Sequence, residues 1–406
     1  MIRPLIFLFI LINSFSVTAN IIKANQAIED EDFQQAAQFL LRSAKVGHAE
    51  SQFKLAIMNF QGQIGKKDLH EAMSWLFLAS QYDYPNALKF TQEIYASLPA
   101  EQQQKALKLA EARALEFGPD NLQQTILPHI GDSAFAGQVL DKSAKLVKRG
   151  PLHYTGAARR SVANEALFYK ALQSGNANLL KQMQNFESGM VITIADIDSS
   201  GNVEDVEVIF EWPEHQFTDA SIDSVYNSVV SPAKRGEDHA AHYGLVFSAY
   251  FGSEGVNDLR TDYPHLYKTF RSLQRQAEEN PMSAYYYANF LRAYRPLLSA
   301  EEYESFEKVL LGSAEQGILI AQLAYGVYQV YENDELQDGM QWIVKAAQAG
   351  FAPAEYRLGD LLMHSPSAYL QQDFQKAQFW LTRAAEQGHE AAQKKLETVK
   401  QLIAKR

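Results

Sequence analysis

Residues 373–388 read DFQKAQFWLTRAAEQG, and this stretch decides the fold. The small pair Ala384-Ala385 follows the bulky Trp380 at helical spacing, and Gly388 closes the run. The same pattern recurs upstream at residues 339–350, GMQWIVKAAQAG, and at residues 305–317, SFEKVLLGSAEQG. The closing glycines lie 33 and 38 residues apart. Before the last two copies stand partner segments, 320–328 (IAQLAYGVY) and 353–361 (PAEYRLGDL), and residues 390–396 begin one more. Alanines (Ala321, Ala324, Ala346, Ala347, Ala384, Ala385) let two helices approach, while Trp342, Trp380 and Tyr356 fill the space between them. Glycine ends each second helix in a left-handed cap. One such hairpin cannot bury its own apolar face, so neighbours must stack into a continuous core.

The pattern returns at the other end of the chain. Residues 33–47 (FQQAAQFLLRSAKVG) form a closing helix, and residues 48–60 (HAESQFKLAIMNF) open the next hairpin. A Gly62/Gly65 loop follows, and residues 69–80 (LHEAMSWLFLAS) complete it. Residues 100–117 are amphipathic and strongly helical, suited to cap an array. These segments resemble the Sel-one-like repeat, a relative of the tetratricopeptide repeat. The residues that carry the likeness are the A…W…AA…G ends around Trp75, Trp342 and Trp380, and the AEYRLG start at residues 354–359. The resemblance implies a concave scaffold for protein binding, in which Trp and Ala are packing residues.

Between the repeats the period changes from helical to two-fold. Residues 189–197 (GMVITIADI) are β-branched and extended, and Asp198-Ser199-Ser200-Gly201-Asn202 is a turn. Residues 203–210 alternate, with Val206 and Val208 on one face and Asp205 and Glu207 on the other, which predicts a hairpin. An amphipathic helix is expected over 218–230, with Thr218 as N-cap and Ala220, Ile222, Val225, Tyr226 and Val229 as its apolar stripe, halted by Pro232. A closing strand is expected over 242–251, HYGLVFSAYF.

This strand–strand–helix–strand order is similar to the C-terminal domain of TonB. The matching residues are Gly189, then Ile197-Asp198-x-x-Gly201-x-Val203, then Phe217 and Ala220, then Pro232 and Gly236 ahead of the aromatic closing strand. The proline-rich spacer and retained membrane helix of a full energy transducer are not expected here. The resemblance implies a binding module whose outer strand offers unpaired N–H and C=O groups to a partner segment. Its recognition edge would be Tyr243, Leu245, Phe247 and Ala249; the alternative is that this strand only packs.

Composition bounds the remainder. With 47% hydrophobic and 21% charged residues the chain is globular rather than disordered. Cysteine is absent, which removes thiol catalysis, Cys-ligated zinc, iron–sulfur clusters, disulfides and lipid attachment through Cys. A net charge of −11 argues against nucleic acid or an anionic membrane as the main partner. Arg3, the apolar run 5–12 and the small residues Val17-Thr18-Ala19 read as a secretory leader cleaved after Ala19, the alternative being an uncleaved anchor. Asp238, His239 and His242 straddle a loop and a strand start, which does not suit a metal site. Asp196, Asp198 and Asp205 read as solvated surface. The basic run Lys142, Lys145, Lys148 and Arg149 reads as one face of a helix. Of Tyr285-Tyr286-Tyr287, one or two belong in a core.

The expected protein is therefore an α+β multidomain chain, with α/α helical-repeat solenoid arms flanking a small β-β-α-β domain similar to that of TonB. Its boundaries are a leader over 1–19, repeats over 20–117, a helical linker over 118–188, the TonB-like domain over 189–252 and repeats over 253–406. No catalytic residue, metal or cofactor is expected. The expected role is a periplasmic protein-binding adaptor with a cell-envelope partner, either a TonB-dependent outer-membrane transporter or a TonB-system component. The rivals are an energy transducer, if the leader is retained, and a cell-envelope enzyme.

Overall fold

The structure is a computed structural model that describes residues 19–152, 189–212, 215–251, 260 and 264–405. The leader expected over 1–19, apart from Ala19, and the helical stretch expected over 162–183 lie outside the described residues. The N-terminal helices are α1 (Asn20–Glu29), α2 (Phe33–Ala44), α3 (Ala49–Gln61), α4 (Leu69–Ser80), α5 (Ala87–Ser97), α6 (Ala100–Phe117) and α7 (Pro119–Thr125). The middle holds β1 (Lys145–Lys148), β2 (Gly189–Ile197), β3 (Val203–Trp212), α8 (Thr218–Tyr226), β4 (Val229–Ser231), β5 (Ala233–Arg235), β6 (Asp238–Ala240) and β7 (His242–Phe251). The C-terminal repeats are α9 (Pro264–Ala277), α10 (Pro281–Ala293), α11 (Ala300–Glu304), α12 (Phe306–Glu315), α13 (Leu319–Tyr331), α14 (Leu336–Gln348), α15 (Ala352–Met363), α16 (Phe374–Glu386) and α17 (Glu390–Ala404).

The repeat helices start and stop where their sequence requires. Asp68 accepts the N–H groups of His70 and Glu71 at the start of α4, and Asp373 does the same for Gln375 and Lys376 at the start of α16. Gly350 closes α14 with φ +80°, a conformation that costs glycine nothing. The repeat alanines Ala72, Ala79, Ala346, Ala347, Ala377 and Ala384 are all buried, as close helix approach demands.

The two arms are not separate. Residues from Ala19 to Ile126 and from Val327 to Val399 share one continuous apolar core. Polar contacts join them as well. The N–H groups of Asn20 and Ile21 donate to the carbonyls of Gly350 and Ala349 at 3.2 Å, and the buried Trp380 Nε1–H donates to Ile126 O at 2.7 Å. Lys376 reaches the carbonyls of Gln123 and Leu127 at 2.9 and 2.6 Å. A buried indole N–H needs such a partner, so the contact fixes register as well as proximity.

On this helical body sits a three-stranded antiparallel sheet in the order β3-β2-β7. β2 is central and almost wholly buried, which is why its sequence is a continuous apolar run instead of an alternation. Met190, Ile192, Phe210 and Trp212 face the C-terminal helices and pack on Leu266, Phe270, Phe290 and Tyr294. Tyr287 belongs to that core, with Tyr285 and Tyr286 half-buried against it. The other face carries Ala195, Ile197 and Phe247 beneath Val225 and Val230, and Val191, Ala249 and Phe251 beneath Phe217.

Three local expectations are corrected. The helix expected to reach residue 230 stops at Tyr226, because Val229–Ser231 pair as β4 with β1. Phe217, not Thr218, is its N-cap residue, and the Thr218 hydroxyl bonds Glu211 instead. Lys145 and Lys148 lie on a strand, not on a helix face. The described part of the linker carries α7 and then turns and strand β1 up to Leu152. No helix among the described residues is long and apolar enough to cross a membrane.

Candidate partner-binding edge and the polar joint beside it

β7 is an outer strand of the sheet, paired on one side with β2 through Gly189↔Phe251 to Ala195↔Leu245. Among the described residues no strand pairs with its other side. Between Leu245 and His242 the register shifts, and Gly244 takes φ +75°, so one extra residue bulges out of β7. The Gly244 N–H turns to the Asp196 carboxylate, 3.1 Å away.

The four residues expected to form the recognition edge divide by exposure. Tyr243 is 36% exposed and stacks on His364 with ring centroids 5.3 Å apart. Leu245 is half-buried, while Phe247 and Ala249 are buried at 2% and 3% within the layer under α8. Val246 and Tyr250 point the opposite way, onto the C-terminal helices. Both faces of β7 are thus covered by this chain, and what it offers outward is its backbone edge and Tyr243.

The two outer strands differ in how they meet solvent. β3 presents Glu204 and Asp205 to solvent, while its Glu207 and Glu211 are half-buried; it has two register shifts against β2, and Asp205 is held at φ +46°. Charges and bulges of this kind discourage another strand from adding. β7 contains no Lys, Arg, Asp or Glu at all.

A buried polar joint lies where the sheet meets the C-terminal repeats. Arg357 Nη1 is 2.6 Å from Glu207 and 3.2 Å from Asp360. Lys395 Nζ lies 2.9 Å from Asp205 and 3.0 Å from Glu207, and also contacts Asp360. His364 Nδ1 is 3.0 Å from Asp196 and 3.7 Å from Asp360. Burial works against the charges of Arg357 and Lys395, yet the surrounding carboxylates outweigh it and push both groups up. For His364 burial favours the neutral ring, but contact with Asp196 and the charge of Asp360 win and raise its pKa. A cleft of about 510 Å³ opens beside the joint, lined in part by Asp196, Tyr243, His364 and Lys395.

Asp196 therefore belongs to a largely buried ion pair and is not the solvated side chain its sequence suggests. Asp198 is half-buried and caps its own turn, accepting the N–H groups of Ser200 and Asn202. Sequence reasoning missed Arg357, Asp360, His364 and Lys395, which are distant in the chain; the one local hint was that two acids on a strand need cations if that face is covered. Ligand atoms of Asp196, Asp205 and His364 come within 4.8 Å of one another, but the Lys395 ammonium already neutralises Asp205 there. Asp238 and His239 are exposed. His242 stands apart from them, its Nδ1 accepting the Ala144 N–H at 3.0 Å, with burial holding its pKa down. These three do not converge.

Comparison with known proteins fits the repeat reading. The Sel1 repeat model matches residues 49–81 and 352–389, which are α3–α4 and α15–α16. Sel1 repeats thus stand at both ends of the chain, around a small β-sheet region. No curated protein matches it. Among solved structures, a protective antigen of uropathogenic Escherichia coli displaying an SLR fold is 17% identical, covering 94% of this chain and 67% of the antigen at a TM-score of 0.30. A Sel1 repeat protein from Oxalobacter formigenes is 14% identical, covering 90% of this chain and 98% of its own at a TM-score of 0.29.

Proposed function

We propose that this protein is a non-catalytic docking scaffold, exported to the periplasm, that captures a cell-envelope partner by strand addition to β7. The observation that carries the reading is the contrast between the outer strands: β3 is guarded by its exposed acids Glu204 and Asp205 and by two bulges, while β7 has ten residues without a formal charge and no described pairing partner on its outer side. Sel1 repeats at both ends favour a protein partner over a small-molecule reaction. The order β2, β3, α8, β7 is compatible with the TonB-like reading, which points to the periplasmic segment of an outer-membrane transporter or to a TonB-system component. Tyr243 and the cleft of about 620 Å³ at the start of β7, lined also by Gln138, Pro366 and Tyr369, would receive side chains of the added strand.

The test is a photoreactive residue at the exposed Tyr243 in cells, with the crosslinked partner identified. A crosslink to the periplasmic segment of a transporter or to a TonB component supports the reading; crosslinks that appear only from positions on the helical repeats would overturn it. Export is tested separately by sequencing the mature N-terminus, expected at Asn20.

A further inference from the structure

We infer that β1 is a second docking edge, one that takes an extended acidic peptide segment from a partner protein by strand pairing. Among the described residues β1 is the one strand whose residues, Lys145, Leu146, Val147 and Lys148, are all exposed. Side chains alternate between the two faces of a strand, so exposure at every position means that both faces meet solvent. Among the described residues β1 pairs only with β4, leaving its other side without a strand.

The strand is nevertheless held firmly at both ends. The Ala144 N–H donates to His242 Nδ1 at 3.0 Å before it, and Lys142 exchanges backbone hydrogen bonds with Lys234. After it, the Gly150 N–H donates to Ser228 Oγ at 2.9 Å, and Gly150 O accepts from Ser224 Oγ at 2.7 Å. An edge fixed in extended form loses little conformational entropy when a partner strand pairs with it.

Charge selects the occupant. Lys142, Lys145 and Lys148 form no ion pair among the described residues and lie within the basic run of a chain whose net charge is −11. An acidic segment is attracted there, whereas basic segments are repelled. Residues 153–188 of this chain carry Arg159, Arg160, Lys170 and Lys181 against only Glu165 and Glu187, so they are poorly matched to the edge that precedes them. An anionic bilayer would answer the charge but not the unpaired backbone groups of the strand. Leu146 and Val147, at 39% and 67% exposed, supply the apolar contacts that alternate side chains of an added strand require.

The probe is a fluorescently labelled octapeptide of alternating glutamate and valine, titrated with the full chain and read by anisotropy. Binding that weakens with salt is expected, together with at least about tenfold loss in the K145E/K148E double variant. Both lysines are exposed and without ion pairs among the described residues, so the variant should keep its circular dichroism spectrum and melting temperature. A backbone N-methylated version of the peptide needs no variant and should fail to bind. Equal binding by the methylated peptide, or by K145E/K148E, would overturn strand pairing at β1. So would loss of the peptide to phosphatidylglycerol vesicles, which assigns the patch to lipid, or dimerisation of the chain that excludes the peptide, which assigns it to a second copy. A proline-bearing β7 variant should bind the peptide normally, keeping this edge distinct from the one proposed above.

Discussion

His48 and His389 hold the same position at opposite ends of the chain. Each follows a left-handed glycine, Gly47 at φ +94° and Gly388 at φ +87°, and each caps a repeat helix by accepting an N–H three residues on, from Ser51 and from Ala392, at 3.3 Å through Nδ1. Asparagine, aspartate or serine usually does this work. An imidazole nitrogen can accept only while it lacks a proton. The cap is therefore a titratable one.

Burial pulls the His48 pKa from 6.5 down to about 4, and it lowers that of His389 as well. A histidine kept neutral in the fold binds its proton more readily when unfolded. Its contribution is complete above pH 6.5 and is lost as pH falls toward the lowered value. We expect the urea midpoint to drop between pH 6.5 and 4 by more in the native chain than in His48→Asn/His389→Asn, whose amide oxygens cap without titrating. The difference should approach about 1 kcal/mol per cap. Parallel pH curves for the two proteins would dismiss the titratable cap.

Arg357 is 6% exposed and sits between Glu207 of the sheet and Asp360 of its own helix. Removing it leaves Glu207 and Asp360 to share the Lys395 ammonium, an excess of negative charge in a buried joint, and breaking a buried pair typically costs about 3–5 kcal/mol. Arg357→Met should therefore be severely destabilising in denaturant unfolding. Adding Glu207→Gln should recover part of the loss, since it removes one of the excess negative charges. If the two losses simply add, Arg357 and Glu207 are not coupled and the joint does not bind sheet to arm as described.

His364 titrates in the opposite sense from the caps. Asp196 and Asp360 face it from the sheet and from its own helix, Lys395 opposes from α17, and the balance raises its pKa above 6.5. The charged form is favoured in the fold, so its contribution is full below pH 6.5 and is lost as pH rises through the raised value. His364→Gln should flatten the decline of stability above pH 6.5. A variant whose stability declines above pH 6.5 as steeply as the native chain's would show that the His364 charge draws no stability from Asp196 and Asp360.

The repeats were legible in the sequence because close helix packing leaves a periodic mark: alanine at the contact, tryptophan beside it, glycine at the stop. The hairpin of β2 and β3 was legible because the period changed and a turn stood between. The rest was hidden for physical reasons. Lysines at 142, 145 and 148 have the spacing of a helix face, and only pairing with distant segments, Lys142 with Lys234 and Lys145–Lys148 with Val229–Ser231, makes the run extended. Val229 extends the apolar stripe of α8, so nothing local ends that helix at Tyr226. The polar joint could not be read because Glu207 and Arg357 are 150 positions apart and each alone looks like a surface charge. For the same reason the sequence did not reveal that Trp380 reaches Ile126 and joins the two arms.

Glycines inside two neighbouring repeat helices should respond to alanine with opposite signs. At Gly326 of α13 a methyl group would lie 2.7 Å from the Gly339 carbonyl oxygen and equally close to Ile343, because α13 and α14 touch backbone to backbone there. A backbone carbonyl cannot swing aside, so the helices must separate. Overpacking of this kind costs about 1–3 kcal/mol, enough to cancel or exceed the helix propensity that alanine brings. At Gly312 of α12 the same methyl meets nothing within 4 Å, and the full propensity gain remains. Gly312→Ala should raise stability by about 0.5–1 kcal/mol, while Gly326→Ala should lower it. Thermal melts of the two single variants decide the matter: a stabilising Gly326→Ala would mean that α13 and α14 are not in backbone contact in solution.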